Sequence, residues 1–254
     1  MILEGRKIIK DYVSEGFLGT GKTALRALNG VDFKVKKNDI LGIVGESGSG
    51  KTTLAKIICG LEEMTSGELV WGLSDAVKKQ NPAQMVFQNP YNSLNPKLAV
   101  GYMLREAISA GRDTGFREVK DREVIELLAK VGMEDIEILN YPHQFSGGQR
   151  QRLGIARALA LKPQVLVCDE PVSALDISIQ AQIVNLLTRI NREYGLTIIF
   201  IAHDIEVIGV ISQNILVMKN GEVMEYADKE TLLDSPENPY TKTLLEAVPR
   251  NPWF

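Results

Sequence analysis

Gly45-Glu46-Ser47-Gly48-Ser49-Gly50-Lys51-Thr52 decides the fold. It follows Ile40–Val44, a continuous apolar run that reads as a strand buried on both faces. It leads into Thr53–Cys59, which reads as a helix stopped near Gly60. Strand, glycine-rich turn and helix in that order are the context in which G-x-x-x-x-G-K-[ST] cradles phosphate. Glycines let backbone N–H groups converge on phosphate oxygens, and the helix N-terminus adds partial positive charge. Lys51 is expected to reach the β- and γ-phosphates, and the Thr52 hydroxyl to ligate Mg²⁺. Gly19-Thr20-Gly21-Lys22 looks similar but lacks a preceding buried strand, so it reads as a loop.

Outward from this loop, the pattern alternates. Val31, Phe33 and Val35 interleave with Asp32, Lys34 and Lys36, a half-buried strand antiparallel to an opening strand near Leu3–Ile9. Residues 88–162 carry helical spacing at Val100–Ala110, Glu118–Val131 and Arg150–Leu161. Apolar strands return at Val165–Cys168 and Thr197–Ala202, separated by a helix at Ile177–Tyr194, which implies a parallel sheet. Ile215–Met218 and Val223–Glu225 flank Asn220-Gly221, a two-residue hairpin turn. The last residues, with one helical stretch at Thr241–Ala247 among prolines, read as an appended tail. The expected division is a nucleotide-binding core over 1–87, a helical insert over 88–162, the core again over 163–225, and a tail over 226–254.

Composition sets bounds. The net charge of −3 argues against a generally basic surface that coats nucleic acid. The longest strongly apolar stretch, Leu196–Ala202, falls far short of the ~20 residues a membrane-spanning helix needs. No leader peptide is expected at the N-terminus. Cys59 and Cys168 sit in apolar runs and read as buried free thiols.

Two further patterns carry chemistry. Val165–Cys168 delivers Asp169-Glu170 to a strand end, where open α/β sheets place ligands. Asp169 is expected to hold Mg²⁺ and Glu170 to polarise a water for attack on the γ-phosphate. Ser146-Gly147-Gly148-Gln149-Arg150 opens an amphipathic helix. Ser146 and Gln149 have capping-box spacing, which leaves the paired glycines unexplained. A second glycine-flanked helix N-terminus is a second anion-binding device, more than a single nucleotide needs from its own chain.

These residues resemble the ATP-binding-cassette (ABC) ATPases. The family's motifs stand in order: the phosphate loop, Gln88, Ser146–Gln149, Asp169-Glu170, Ser173-Ala174-Leu175-Asp176, and His203 after an apolar strand. The resemblance implies an α/β fold: a P-loop NTPase core with a mainly parallel sheet, an antiparallel β subdomain and an inserted α-helical subdomain. It implies ATP and Mg²⁺ as cofactors, with Thr52, Gln88 and Asp169 as metal ligands. Glu170, His203, Gln88 and Lys51 form the implied catalytic set. Gly45 through Thr53, together with Asp169, would bind ATP, and Tyr12 or its rival Phe17 would stack on adenine. Ser146, Gly147, Gly148, Gln149 and Asp176 would serve the ATP of a second subunit. Asp176 also reads as a helix N-cap before Ile177, and His143 as structural.

Gln88-Asn89-Pro90-Tyr91-Asn92-Ser93-Leu94-Asn95-Pro96 and Pro236-Glu237-Asn238-Pro239-Tyr240-Thr241 resemble the oligopeptide/dipeptide/nickel importer ATPases. Asn89 departs from the Asp common there, and the tail lacks a cysteine cluster, so no iron–sulfur cluster is expected. The resemblance implies an energy-coupling subunit on the cytoplasmic face of the membrane. Its partners would be a second ATP-binding subunit, identical or related, two transmembrane permeases and, indirectly, a substrate-binding protein. The alternative is a soluble ABC ATPase acting on ribosomes or DNA; a plain P-loop kinase leaves Ser146–Gln149 and His203 unexplained.

Overall fold

The computed structural model describes residues 1–15, 22–74, 82–88 and 94–247. The chain forms two compact units, Met1–Asn81 with Ile199–Phe254, and Pro82–Ile198.

In the first unit, β1 (Leu3–Glu15), β2 (Lys22–Val35) and β4 (Ser66–Trp71) form an antiparallel sheet in the order β2-β1-β4. The register sets Leu3 opposite Val35 and Gly5 opposite Phe33. Leu3, Ile8, Val31, Phe33 and Val35 are buried, so the period-2 pattern puts one face of the sheet inward. The opening strand is longer than the expected Leu3–Ile9. Beyond Ile9 its residues are largely polar, and antiparallel pairing of Lys10 through Glu15 with β2 holds them extended.

A second sheet of this unit runs in the order β7 (Thr197–Ala202), β3 (Ile40–Val44), β8 (Asn214–Lys219), β9 (Glu222–Asp228). All five residues of β3 (Ile40–Val44) are buried, as its unbroken apolar run predicts. β3 lies parallel to β8 (Asn214–Lys219), with Leu41 opposite Asn214 and Val44 opposite Val217. β8 turns antiparallel into β9 (Glu222–Asp228), and Asn220 and Gly221 have φ of 50° and 79°, the pair of positive values this turn requires. β7 is Thr197–Ala202, and the chain passes from one unit to the other within it. Helix α1 (Lys51–Ile58) buries Leu54, Ala55, Ile57 and Ile58, and Gly60 at φ 65° ends the turn after it.

In the second unit, β5 (Ala83–Val86) pairs in parallel with β6 (Val165–Asp169). Four longer helices follow the spacing read from the sequence: α2 (Val100–Arg112), α3 (Asp121–Lys130), α4 (Gly147–Ala160) and α5 (Ile177–Tyr194). α4 packs against both α2 and α3. Leu104, Leu128 and Leu153, one from each, are all but fully buried. Burial of such a side chain contributes about 2 kcal/mol. The Glu118–Val131 pattern divides into a 3-10 turn at Phe116–Glu118 and α3. The architecture is α/β, with mostly parallel pairing, a separate antiparallel sheet and a helical segment.

The C-terminal residues are docked rather than merely appended. β9 is followed by α7 (Lys229–Asp234) and α8 (Pro239–Glu246), and Leu232 and Thr241 are fully buried. α6 (Ile205–Ile211), earlier in the same unit, buries three isoleucines. Glu225 on β9 accepts the N–H of Glu237 at 2.9 Å and of Asn238 at 3.2 Å. Burial pushes the Glu225 carboxyl up, but the Thr241 side chain, these backbone donors and the Lys242 ammonium outweigh it and hold the group below its ordinary 4.5. A depressed folded value stabilises at pH above the unfolded value and is lost as pH falls through the folded one. Amide exchange at Glu237 and Asn238 should therefore be slow at pH 7. Relative to β3, it should lose protection as pH falls below the ordinary glutamate value and through the depressed one.

Candidate active site

The phosphate loop lies in the first unit. Lys51 is 5% exposed, and its Nζ donates to Gly45 O at 2.7 Å, Glu46 O at 2.8 Å and Ser49 Oγ at 3.4 Å. The loop thus wraps a buried ammonium in its own oxygens. The wrap needs Gly50 at φ 99°, where an added Cβ would stand 2.7 Å from Ala27 O. Gly50 is the N-cap of α1 and caps it with no side chain, so the first-turn N–H groups face outward for an anion. Thr52, in that first turn, is exposed and Thr53 half-buried.

The acidic pair lies in the second unit. β6 ends on Asp169, which is 5% exposed, and Glu170 follows at φ 44°. A left-handed glutamate is uncommon and costs backbone strain, which concentrates at functional turns. The Gln88 Nε2 donates to Glu170 Oε2 at 3.0 Å and to Ser173 Oγ at 3.2 Å. Ser173 Oγ in turn donates to Glu170 O at 3.2 Å. Gln88, Glu170 and Ser173 therefore form one hydrogen-bonded group that orients the glutamate carboxylate. Thr52, Gln88 and Asp169 offer a hydroxyl, an amide oxygen and a carboxylate, the hard oxygen donors that suit Mg²⁺. Gln88 donates through nitrogen, which presents its oxygen as an acceptor.

The segment before α4 also belongs to the second unit. Ser146 Oγ accepts the Gln149 N–H at 3.3 Å, and Gln149 Oε1 accepts the Ser146 N–H at 2.9 Å. The capping box read from the sequence is present. α4 therefore starts at Gly147, three residues ahead of the expected Arg150. Arg150 is 8% exposed, and its guanidinium donates to Pro142 O at 2.8 Å and His143 O at 3.2 Å. It clamps the 3-10 turn Pro142–Gln144 to the helix. The His143 ring stacks on Tyr141, centroids 5.9 Å apart, consistent with a structural role. Gly148 is buried, and an added Cβ would meet Ile179 Cγ2 at 2.5 Å.

A family profile described as ABC transporter matches residues 28–173. The chain belongs to the ABC transporter family. A second profile, the oligopeptide/dipeptide transporter C-terminal region, matches residues 224–253. The chain is 46% identical to the oligopeptide transport ATP-binding protein OppF of Haemophilus influenzae, over 89% of this chain and 70% of that protein. It is 45% identical to OppF of Salmonella typhimurium, over 98% and 80%. The ATP-binding cassette MJ0796, solved as a post-hydrolysis dimer bound to ADP and Pi, superposes with a TM-score of 0.72 at 29% identity. That match covers 90% of this chain and 99% of the cassette. Cassette cbiO1 of Clostridium perfringens, part of the transporter complex cbiONQ, gives 0.73 at 27% identity, over 98% and 96%.

Other residues that the ABC resemblance singles out fall as follows. His203 is exposed at the end of β7, and the neighbouring Asp204 carboxylate accepts the Glu206 N–H at 2.8 Å and caps α6. Asp176 takes the N-cap position of α5, but its side chain makes no cap hydrogen bond. Its carbonyl does the capping instead, accepting Ile179 N and Gln180 N. Tyr12 lies inside β1, 36% exposed, with the Lys10 ammonium 4.8 Å from its ring centroid. Phe17 and the stretch 89–93 lie outside the described residues. Sequence reasoning assigned no role to Arg150 or to the Ser173 hydroxyl. Both stand inside quoted motifs, and only the tertiary acceptors reveal what they do.

Gly148→Ala should destabilise the chain by about 1–3 kcal/mol, because the new methyl overlaps Ile179. Ile179→Ala in the same chain should recover part of that loss. Thermal unfolding of the two variants reads both effects.

Proposed function

We infer that this chain is the ATP-hydrolysing subunit of an ABC importer for peptides. The observation that carries the reading is the 3.0 Å hydrogen bond from the Gln88 amide to the Glu170 carboxylate at the end of a buried strand. It holds a general base in a fixed orientation at the residue where the helical segment begins. The names of the relatives and the match over 224–253 support peptides as cargo. They disfavour the alternative of a cassette acting on ribosomes or DNA.

In this reading the loop N–H groups and the α1 N-terminus take the ATP phosphates, and Lys51 turns its ammonium from loop carbonyls to the β- and γ-phosphates. Glu170 accepts a proton from the attacking water as the bond from the γ-phosphorus to the bridging oxygen breaks, yielding ADP and phosphate. Thr52, Gln88 and Asp169 hold Mg²⁺, which when bound neutralises charge on the phosphate oxygens. His203 donates to the γ-phosphate and senses its loss. Tyr12 stacks on adenine. Ser146–Gln149 and Asp176 act on the ATP of a second, identical or related cassette, in a head-to-tail dimer. The dimeric form of the similar cassette MJ0796 supports that arrangement.

Among the described residues no helix is long and apolar enough to cross a membrane. In this reading the transport path belongs to transmembrane permeases, with this chain bound at their cytoplasmic face and a substrate-binding protein delivering the cargo.

Glu170→Gln should bind ATP and dimerise in its presence while turning over at least ~100-fold more slowly. Size-exclusion chromatography and phosphate release measure the two properties. Turnover at the wild-type rate would sink the assignment of the base. Lys51→Ala should lose nucleotide binding in a fluorescence titration. The native chain should co-purify with an integral membrane protein; co-purification with ribosomes instead would replace the importer reading.

A further inference from the structure

The phosphate loop is braced from behind by segments far away in sequence. At one end Gly221, in the β8–β9 turn, donates its N–H to Ser49 O at 3.1 Å. At the other, the Glu46 N–H donates to the Tyr240 hydroxyl at 3.4 Å. Tyr240 stands in the first turn of α8, and its placement is over-determined. Asn238 Oδ1 accepts the Tyr240 N–H at 2.8 Å, and Asn238 Nδ2 donates to Met224 O at 2.9 Å. Glu225 holds the two residues before Pro239, and the Lys219 ammonium lies 4.2 Å from the Tyr240 ring centroid. Burial first, and then the Glu46 carboxylate nearby, hold the Tyr240 phenol above its ordinary value, so it stays neutral at working pH.

The Glu46 N–H belongs to the same planar peptide as the Gly45 carbonyl, and that carbonyl accepts the Lys51 ammonium at 2.7 Å. The peptide cannot rotate to release one partner without disturbing the other. We propose that Tyr240 is a positioning residue for the phosphate loop: the C-terminal segment fixes the Gly45–Glu46 peptide and, through it, the course of the loop around the phosphate site. ATP affinity then depends on a helix that supplies no group to the nucleotide. This rests on the reading of Gly45–Thr52 as the ATP phosphate site.

The test is Tyr240→Phe in the whole chain, which keeps the ring over Lys219 and removes only the hydroxyl. The N–H···O distance is long, so the effect is modest. The expected result is an ATP KM raised about threefold, with kcat within twofold of wild type, because binding is lost equally in ground and transition states. A lowered Tm with unchanged KM marks a merely structural tie and overturns the proposal. Should Tyr240→Phe not fold, Glu225→Gln loosens the start of α8 and leaves Tyr240 intact. It must raise the KM in the same direction, and an unchanged value overturns the proposal. Lys51→Ala separates the two levels. If it loses nucleotide while Tyr240→Phe keeps the wild-type KM, the tail inference alone fails. If it retains nucleotide, the phosphate-site reading itself fails.

Discussion

A buried ammonium organises the loop on which everything else depends. Lys51 is 5% exposed, and a cation that deep must be surrounded by acceptors. Two of them are main-chain carbonyls, Gly45 O and Glu46 O. Turning those carbonyls toward the ammonium turns the N–H of the same planar peptides away from it. One of these, the Glu46 N–H, is taken by the Tyr240 hydroxyl, so the side of the loop away from the cation is itself held in place. Glycine at positive φ is what lets so short a segment wrap the cation, and the strand before it and the helix after it hold its two ends. In the proposed ATP site, the donors that meet the phosphates are those of the loop and of the first turn of α1.

The same logic explains the acidic pair. β6 is apolar through Cys168 and is buried to its end, so Asp169 arrives with little solvent around it. The next residue has to leave the sheet at once, and it does so in a left-handed conformation that glutamate adopts at a cost. What returns that cost is local: Ser173 donates to the Glu170 carbonyl, and Gln88 donates to its carboxylate. A carboxylate pinned through both its main chain and its side chain has few ways to point. That restriction is what a general base needs, since proton transfer depends on geometry before it depends on pKa.

Much of this was legible in the sequence because it is local. The phosphate loop, the two buried strands, the Asn220-Gly221 turn and the Ser146–Gln149 box all rest on contacts within a few residues. Composition and spacing report such contacts directly. What escaped reading depends on partners distant in the chain. β1 runs on to Glu15 because β2 is there to pair with polar residues, which period-2 hydrophobicity cannot reveal. Arg150 carries no role legible in the sequence, and only the Pro142 and His143 carbonyls that accept from it show what it does. The C-terminal residues read as a proline-rich tail, yet Tyr240 meets the phosphate loop across a separation of 194 residues. Asp176 shows the opposite failure. Residue type and position both favour a side-chain cap, and the structure uses only its backbone.

The segment Ser146–Gln149 adds a constraint of its own. The Ser146 and Gln149 side-chain oxygens are used in the capping box, each accepting the other's backbone N–H. Gly148 is packed too closely on Ile179 to carry a side chain. In the proposed closed dimer, the groups readiest to meet a phosphate are then the outward N–H groups at the start of α4. Ser146 and Gln149 can join without giving up the cap, since both cap bonds use their side-chain oxygens as acceptors and leave the hydroxyl hydrogen and the amide N–H groups to donate. Such a segment holds its helix firmly while no nucleotide faces it. It also keeps two side-chain donors, a hydroxyl and an amide, at the helix start while their oxygens hold the cap. The capping box and the paired glycines thus have separate tasks, one keeping the helix start intact and the other keeping it bare.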